Sequence, residues 1–268
     1  MIARSKNKNK ESQWFGYKKV KADEKARLVE NVFDSVASRY DLMNDLMSGG
    51  IHRLWKNRLV SMLHPRANKL LLDVAGGTGD IAFRYREQLR CNKKYSGKAA
   101  GAGAAARITV CDINKEMLAV GKDRAIDRGY IKGFEWVVGN AETLPFADNK
   151  YDLYTISFGL RNVPKIDDAL EEAYRVLKPG GQFFCLEFSQ VTNPTFRKIY
   201  DEYSFRMIPK IGALVAKDRE SYQYLVESIR QFPKQEELAA RMKKAGFEQV
   251  RFINLSGGIA AIHTGTKL

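Results

Sequence analysis

The chain has 268 residues, 44% of them apolar and 28% charged, about twice the length of a common domain, so it can bury a core as one large α/β unit or two small ones. No run approaches the ~18 uncharged apolar residues of a membrane-spanning helix, and three scattered cysteines exclude a disulfide scaffold or a CxxC zinc site. A balance of 45 basic against 31 acidic residues gives +14, which favours an acidic partner only if the charge is gathered on one face. Residues 1–10 gather some of it: Arg4, Lys6, Lys8 and Lys10 stand there without an acid, as in a disordered tail or the remnant of an organelle transit sequence.

From Asp23 to about Leu63 apolar residues recur at helical spacing (Leu28, Val32, Val36, then Leu54 and Leu59), broken at Gly49-Gly50. Lys69–Ala75 is a short apolar run ending in a glycine cluster, which predicts a buried strand entering a tight turn, and Asp80–Leu89 predicts a helix. Residues 91–106 (CNKKYSGKAAGAGAAA) are poor in large apolar side chains, and the expectation is a disordered surface insertion. Alternation then resumes: strand Arg107–Asp112, helix Lys115–Asp127, strand Gly133–Val138, strand Tyr151–Ser157, helix Ile166–Leu177 and strand Gly181–Phe188. Such alternation implies a parallel sheet covered on both faces. An added helical element follows at residues 193–217, then helices Ser221–Gln231 and Gln235–Ala245, and a closing hairpin of Glu248–Asn254 and Ile259–Thr266 hinged at Gly257-Gly258.

Chemistry concentrates at Asp73-Val74-Ala75-Gly76-Gly77-Thr78-Gly79. Between a strand and a helix, glycines let a ligand approach the backbone and the helix start offers free N–H groups. A nucleotide-binding turn also needs an acid at the end of the next strand to take the ribose hydroxyls, and Asp112 is placed for it. The spacing of 39 residues exceeds the usual ~20, and the insertion accounts for 16 of the excess. A dinucleotide and S-adenosylmethionine (SAM) compete for such a loop. Asp73 favours SAM, because a carboxylate there can serve the ammonium of the methionine tail, whereas it would repel a pyrophosphate. Asn140-Ala141-Glu142 after the third strand suits the edge of an adenine.

These residues, with Tyr40-Asp41-Leu42-Met43-Asn44, His52, Trp55, Ser157-Phe158-Gly159-Leu160-Arg161-Asn162-Val163, Leu177-Lys178-Pro179-Gly180-Gly181 and Ser221-Tyr222-Gln223-Tyr224-Leu225, make the chain similar to class I SAM-dependent methyltransferases. More narrowly it resembles the UbiE/COQ5 family of ubiquinone and menaquinone C-methyltransferases, and within it the mitochondrial branch. The resemblance implies a Rossmann-like, seven-stranded, mostly parallel sheet with an antiparallel last strand. It divides the chain into a basic tail (1–15), an N-terminal helical cap (16–64) and a SAM-binding domain (65–268) carrying the insertion (91–106) and a helical acceptor-site element (193–232). It assigns cofactor contacts to Asp73, Gly77, Thr78, Gly79, Asp112, Asn140, Ala141 and Ser157, with no metal. The implied acceptor is a polyprenyl methoxy-benzoquinol, methylated on a ring carbon on the matrix side of the inner mitochondrial membrane. Implied partners are other ubiquinone-biosynthesis proteins, the membrane surface and a second copy of the chain, with no nucleic acid.

A quinol carbon becomes nucleophilic when the ring hydroxyl ionises, and a phenol near pKa ~10 needs help to do so at neutral pH. Arg161, just past the fourth strand of the sheet, is expected to stabilise that charge or position a water, with His52 as a second candidate base. Tyr40, Asn44, Trp55 and Tyr222 are expected to line the acceptor channel. Two other functions compatible with the charge and the glycine turn are methylation of RNA, which predicts a basic stripe in the cofactor cleft, and a SAM- or lipid-binding scaffold without activity.

Overall fold

The computed structural model describes residues 12–15, 17–21, 24–25, 27–28, 45, 48–95, 107–194, 198, 200, 202 and 219–268. In chain order the named elements begin with a hairpin of β1 (Ser12–Phe15) and β2 (Lys18–Lys21), then α1 (His52–Met62), β3 (Leu70–Val74), α2 (Asp80–Tyr95) and β4 (Arg107–Asp112). They continue with α3 (Lys115–Asp127), β5 (Phe134–Val138), β6 (Tyr151–Ser157), a 3-10 turn (Leu160–Asn162), α4 (Ile166–Val176) and β7 (Leu177–Phe188). The chain closes with α5 (Arg219–Gln231), α6 (Gln235–Lys244), β8 (Glu248–Leu255) and β9 (Ala260–Thr266).

Seven strands form one sheet in the order β5-β4-β3-β6-β7-β9-β8. All neighbours are parallel except β9, which runs antiparallel to β7 and β8. The expected sheet with an antiparallel last strand is therefore present. Its central strands are apolar throughout because helices cover both faces: Leu71 and Leu72, adjacent in β3, point to opposite sides and enter two different cores. One core gathers Leu59, Tyr85, Leu118 and Phe158, the other Tyr154, Leu170, Phe183 and Met242. Local signals agree with these elements. Asn114 caps α3 by accepting from the Met117 N–H at 2.9 Å, and α4 carries Asp167 and Asp168 in its first turn and Arg175 in its last, each complementing the helix dipole.

The structure departs from the sequence expectations at three places. Residues 12–15, assigned to the tail, form β1 and pair with β2 (Trp14 opposite Lys19), and the hairpin docks on α5, with the Tyr17 N–H donating to Glu227 Oε2 at 2.9 Å. Helix α2 runs to Tyr95, five residues into the expected insertion; 96–106 lie outside the described residues. Strand β7 begins at Leu177, before the glycine pair: Tyr151 faces Leu177 while Leu153 faces Gln182, so Lys178–Gly181 bulge from the ladder. Gly180, at φ +76, makes that bulge possible. Most of 193–217 also lies outside the described residues.

Gly121 marks the tightest helix-to-sheet contact, because a Cβ there would meet the Trp136 ring at 2.4 Å and the Thr78 backbone carbon at 3.2 Å. Gly121→Ala is expected to lower stability by about 1–3 kcal/mol through overpacking, read as a lower urea midpoint at unchanged slope.

Candidate active site

Parallel strands place their carboxyl ends along one edge, and ligands of such sheets sit where the strand order reverses, between the first strand's neighbours on either side. Here that point lies between β4 and β6, on either side of β3. A cleft of about 1160 Å³, partly open to solvent, occupies it. Its walls come from the Asp73–Thr78 loop after β3, Asp112–Asn114 after β4, Gly139–Glu142 after β5, and Ser157–Gly159 with Asn162 after β6.

Tight backbone shapes this edge. Ala75 and Phe158, both lining the cleft, adopt φ +50 and +56 although neither is glycine, conformations that persist only where surroundings enforce them. The two turns touch: a Cβ on Gly159 would lie 2.4 Å from the Ala75 Cβ. On the loop itself, a Cβ on Gly76 would strike Val110 at 2.6 Å and one on Gly77 would strike the Met117 methyl at 2.9 Å. The loop can therefore present backbone to a ligand only because these positions carry no side chain.

Carboxylates dominate the electrostatics. Asp73, at the end of β3, is 1% exposed; its Oδ1 accepts from the Thr155 hydroxyl at 2.7 Å, while Oδ2 is buried without a hydrogen-bond partner. Burial, reinforced by the nearby Asp80 and Asp112 charges, pushes its carboxyl up to about 7. Asp112 Oδ2 accepts from the Gly77 N–H at 2.8 Å and Oδ1 from the Asn114 N–H at 2.9 Å, and burial raises this carboxyl too. Asp80, by contrast, is held low by Lys56 and Arg84, each 2.8 Å away. Two buried carboxylates without a cation favour a positively charged ligand and repel a pyrophosphate. Ser157 Oγ and Asn162 Nδ2, also in the cleft wall, are likewise buried and unpartnered. Three orphaned polar atoms on one cavity are what a polar cationic ligand would satisfy, and the residues present fit SAM. Asp73 with the glycine loop would take its amino-acid end, Asp112 its ribose diol and Asn140–Glu142 its adenine. Asn140 is shaped for that turn, its Oδ1 accepting from the Glu142 N–H at 2.9 Å.

The structure brings Asp73, Gly77, Thr78, Asp112, Asn140, Ala141 and Ser157 to one cleft. Gly79 is not in the lining. It turns at φ +83 with Trp136 and Phe83 within 3.3 Å of where a Cβ would stand, so it serves helix-to-sheet packing. Trp55 belongs to the core: it is 4% exposed, packs on Phe158 and Phe188, and donates from Nε1 to Ser256 Oγ at 3.0 Å. It reaches the cleft only through Phe158. His52 is buried against Asp45, with Nε2 to Oδ1 at 2.8 Å, and lies outside the cleft wall; burial lowers its pKa, and as a base it reaches nothing in the cleft. Arg161 is turned from the cleft into the protein. Its Nη1 contacts Glu187 Oε1 at 2.8 Å and the Phe158 carbonyl, its guanidinium carbon stands 5.7 Å from the Phe188 ring centre, and both ion-pair side chains are 1% exposed. Tyr40 and Asn44 lie outside the described residues, as does the side chain of Tyr222. Lys56, Ile113, Met117, Phe158 and Asn162 line the cleft without having been expected there from sequence. Asn162 adjoins a recognisable motif, but the Lys56–Asp80 pair spans 24 residues and has no local signature.

Comparison with known proteins now defines the class. The fold matches solved SAM-dependent methyltransferases from Thermotoga maritima (TM-score 0.60, 20% identity, 89% of this chain and 99% of that one) and Aquifex aeolicus (TM-score 0.54, 14% identity, 80% and 89%). Sequence goes further: residues 18–267 match the ubiE/COQ5 methyltransferase family. Similar proteins include the mitochondrial 2-methoxy-6-polyprenyl-1,4-benzoquinol methylases of rice (57% identity over 95% of this chain and 88% of the relative) and human (51% over 98% and 87%). The ubiquinone/menaquinone biosynthesis C-methyltransferase UbiE of Brucella abortus is 56% identical over 95% of this chain and 90% of the relative. The chain belongs to the ubiE/COQ5 family of SAM-dependent C-methyltransferases.

Two outcomes are expected from the site. Because a bound cation favours the ionised Asp73, SAM affinity should fall about tenfold per unit as pH drops below about 7, with proton release on binding near neutrality, measured calorimetrically in buffers of different ionisation enthalpy. The raised carboxyl also means the folded chain holds an extra proton between about pH 4 and 7, so stability declines as pH rises through that window; Asp73→Asn should gain about 1–3 kcal/mol at alkaline pH while losing SAM binding. Arg161→Ala should cost about 3–5 kcal/mol by stranding Glu187, and Arg161→Ala with Glu187→Ala less than the sum, as read by denaturation of the double-mutant cycle.

Proposed function

We propose that this chain methylates a ring carbon of a 2-methoxy-6-polyprenyl-1,4-benzoquinol in ubiquinone biosynthesis, with SAM as methyl donor. The observation that carries this reading is the buried, unpartnered Asp73 Oδ2 beside Asp112 on the glycine loop, a site for a cation bearing a diol; 51–57% identity to enzymes named for that reaction supplies the acceptor. The donor supplies an activated methyl group. The protein contributes alignment, worth about 7–11 kcal/mol in well-oriented reactions, and exclusion of water.

Each wall has its own part in this reading. Asp73 and the Gly76–Thr78 backbone fix the amino-acid end, and Asp112 with Asn140–Glu142 fixes the nucleoside, so the methyl group faces Phe158 and Asn162. Arg161 becomes a positioning residue: tied to Glu187 and to the Phe158 carbonyl, it holds the strained turn that forms the acceptor side. Support for a quinol over RNA comes from the cleft lining, where among the described residues the only basic side chain is Lys56, paired to Asp80 at 2.8 Å.

Location and partners follow from the acceptor. A polyprenyl tail resides in a bilayer, and none of the described helices is long and apolar enough to cross one. The chain therefore works from the matrix surface of the inner mitochondrial membrane, as the mitochondrial names of its relatives suggest, as a homodimer within an assembly of ubiquinone-biosynthesis proteins.

Transfer of isotope from labelled SAM to a short-tailed demethyl quinol tests the reading. The wild-type chain should label the ring carbon, and Asp112→Ala should cut kcat/KM by at least about 100-fold through lost cofactor orientation; no labelling by the wild type refutes it.

A further inference from the structure

A second cavity of about 1360 Å³, also partly open to solvent, lies beside the cofactor cleft and shares Val163 and Pro164 with it as a common wall. It is bounded by the exit of the 3-10 turn, the starts of α4 and α6, the end of α5, and Lys25. Lys25 is 7% exposed, a rare state for a lysine without a partner, and it makes no hydrogen bond or ion pair with any described residue. Such a group lowers stability where it sits, so its presence asks for a use.

The other charges around the cavity are committed elsewhere. Arg161 is neutralised by Glu187, and Arg241 is shared between Asp167 at 3.4 Å and Glu237 at 2.8 Å. Arg230 has interactions of its own, Lys234 is exposed, and Lys165 and Asp168 stand half-buried at the rim. The acid whose charge reaches Lys25 is Glu142. Glu142 itself lines the cofactor cleft and accepts from the Lys165 N–H at 2.8 Å, so Lys25 stands where the two spaces adjoin.

Resting on the proposed quinol methylation, we infer that the second cavity receives the acceptor's ring hydroxyl and that Lys25 Nζ is the base that ionises it. In this step the O–H bond breaks, its proton goes to the neutral amine, and its electron pair stays on the ring oxygen, from which the ring carbon gains nucleophilicity. Nothing is oxidised or reduced, and the ammonium returns its proton to solvent after transfer. The surroundings suit a base: burial pulls the Lys25 amine down to about 8, opposed by Glu142, so a substantial neutral fraction is present at mildly alkaline pH and the ammonium formed is left facing an oxyanion. Arg161 cannot do this, being permanently charged and already paired.

The experiment uses the full chain, labelled SAM and a short-tailed demethyl quinol, with Lys25→Met and Lys25→Arg beside the wild type. Both variants should bind SAM as the wild type does by calorimetry, yet lose at least about 100-fold in kcat, the range of general-base catalysis. Wild-type kcat should rise to a plateau with a midpoint near 8; that limb should vanish in Lys25→Met, and small primary amines should restore transfer to it. Lys25→Met should also raise the urea midpoint, because it removes an unpaired buried ammonium, so poor folding is not the cause of inactivity. Lys25→Arg with wild-type kcat overturns the inference, since fixed charge then suffices; so does a Lys25→Met variant that keeps its rate or its pH limb, or that amines fail to rescue. Absence of transfer by the wild type itself overturns the quinol reading and this one with it.

Discussion

Burying a carboxylate away from any cation is among the costlier things a folded chain can do, and this protein does it twice at the same sheet edge. Asp73 and Asp112 end neighbouring strands, β3 and β4, and stand on either side of a loop whose glycines leave no side chain between them. Each is stabilised by neutral donors only: Thr155 for Asp73, and the Gly77 and Asn114 N–H groups for Asp112. Thr155 stands directly opposite Asp73 in the β3–β6 register. The sheet must therefore be parallel and in register for this edge to exist, and the helices on both faces must exclude water for the carboxyls to shift.

The rest of the molecule braces that edge. Lys56 from α1 grips Asp80 at the start of α2, and Arg84 closes on the same carboxylate one turn later. On the far side, the Arg161–Glu187 pair fastens the turn after β6 to the end of β7, and Phe158 N donates to the Leu186 carbonyl at 2.8 Å. A buried ion pair of this kind adds little net stability over a well-packed apolar pair, but it tolerates only one geometry. It holds Phe158 in a left-handed backbone conformation that an unconstrained phenylalanine avoids. Rigidity of the wall and strain in the turn are thus two views of one contact.

Much of this was legible in the sequence because it depends on local patterns. The apolar run of β3, the glycine loop and the acid ending β4 are each encoded within a few residues, so strand, turn and site could be read together. The family resemblance extended the reading to Asn140, Ala141 and Ser157. What escaped depends on distant partners. Arg161 looks like a free cation at a ligand-binding edge until Glu187, 26 residues on, is seen beside it. Trp55 and Gly79 sit in conspicuous motifs yet serve packing, since a motif records that a residue is constrained and not by what. The β1–β2 hairpin was hidden by its charge: Lys18, Lys19 and Lys21 suit an exposed strand as well as a solvated tail.

The three thiols divide sharply. Cys111 and Cys185 lie inside the sheet, where burial pushes the first up to about 12 and the second higher still, so neither offers a thiolate to an oxidant or alkylating reagent. Cys91 is exposed on α2, eleven residues beyond Asp80 and so about 16 Å along the helix from the cleft. Peroxide or maleimide would accordingly mark the outer flank and spare the transfer machinery, which gives the protein a built-in tolerance to oxidation and the experimenter a single handle for a fluorophore.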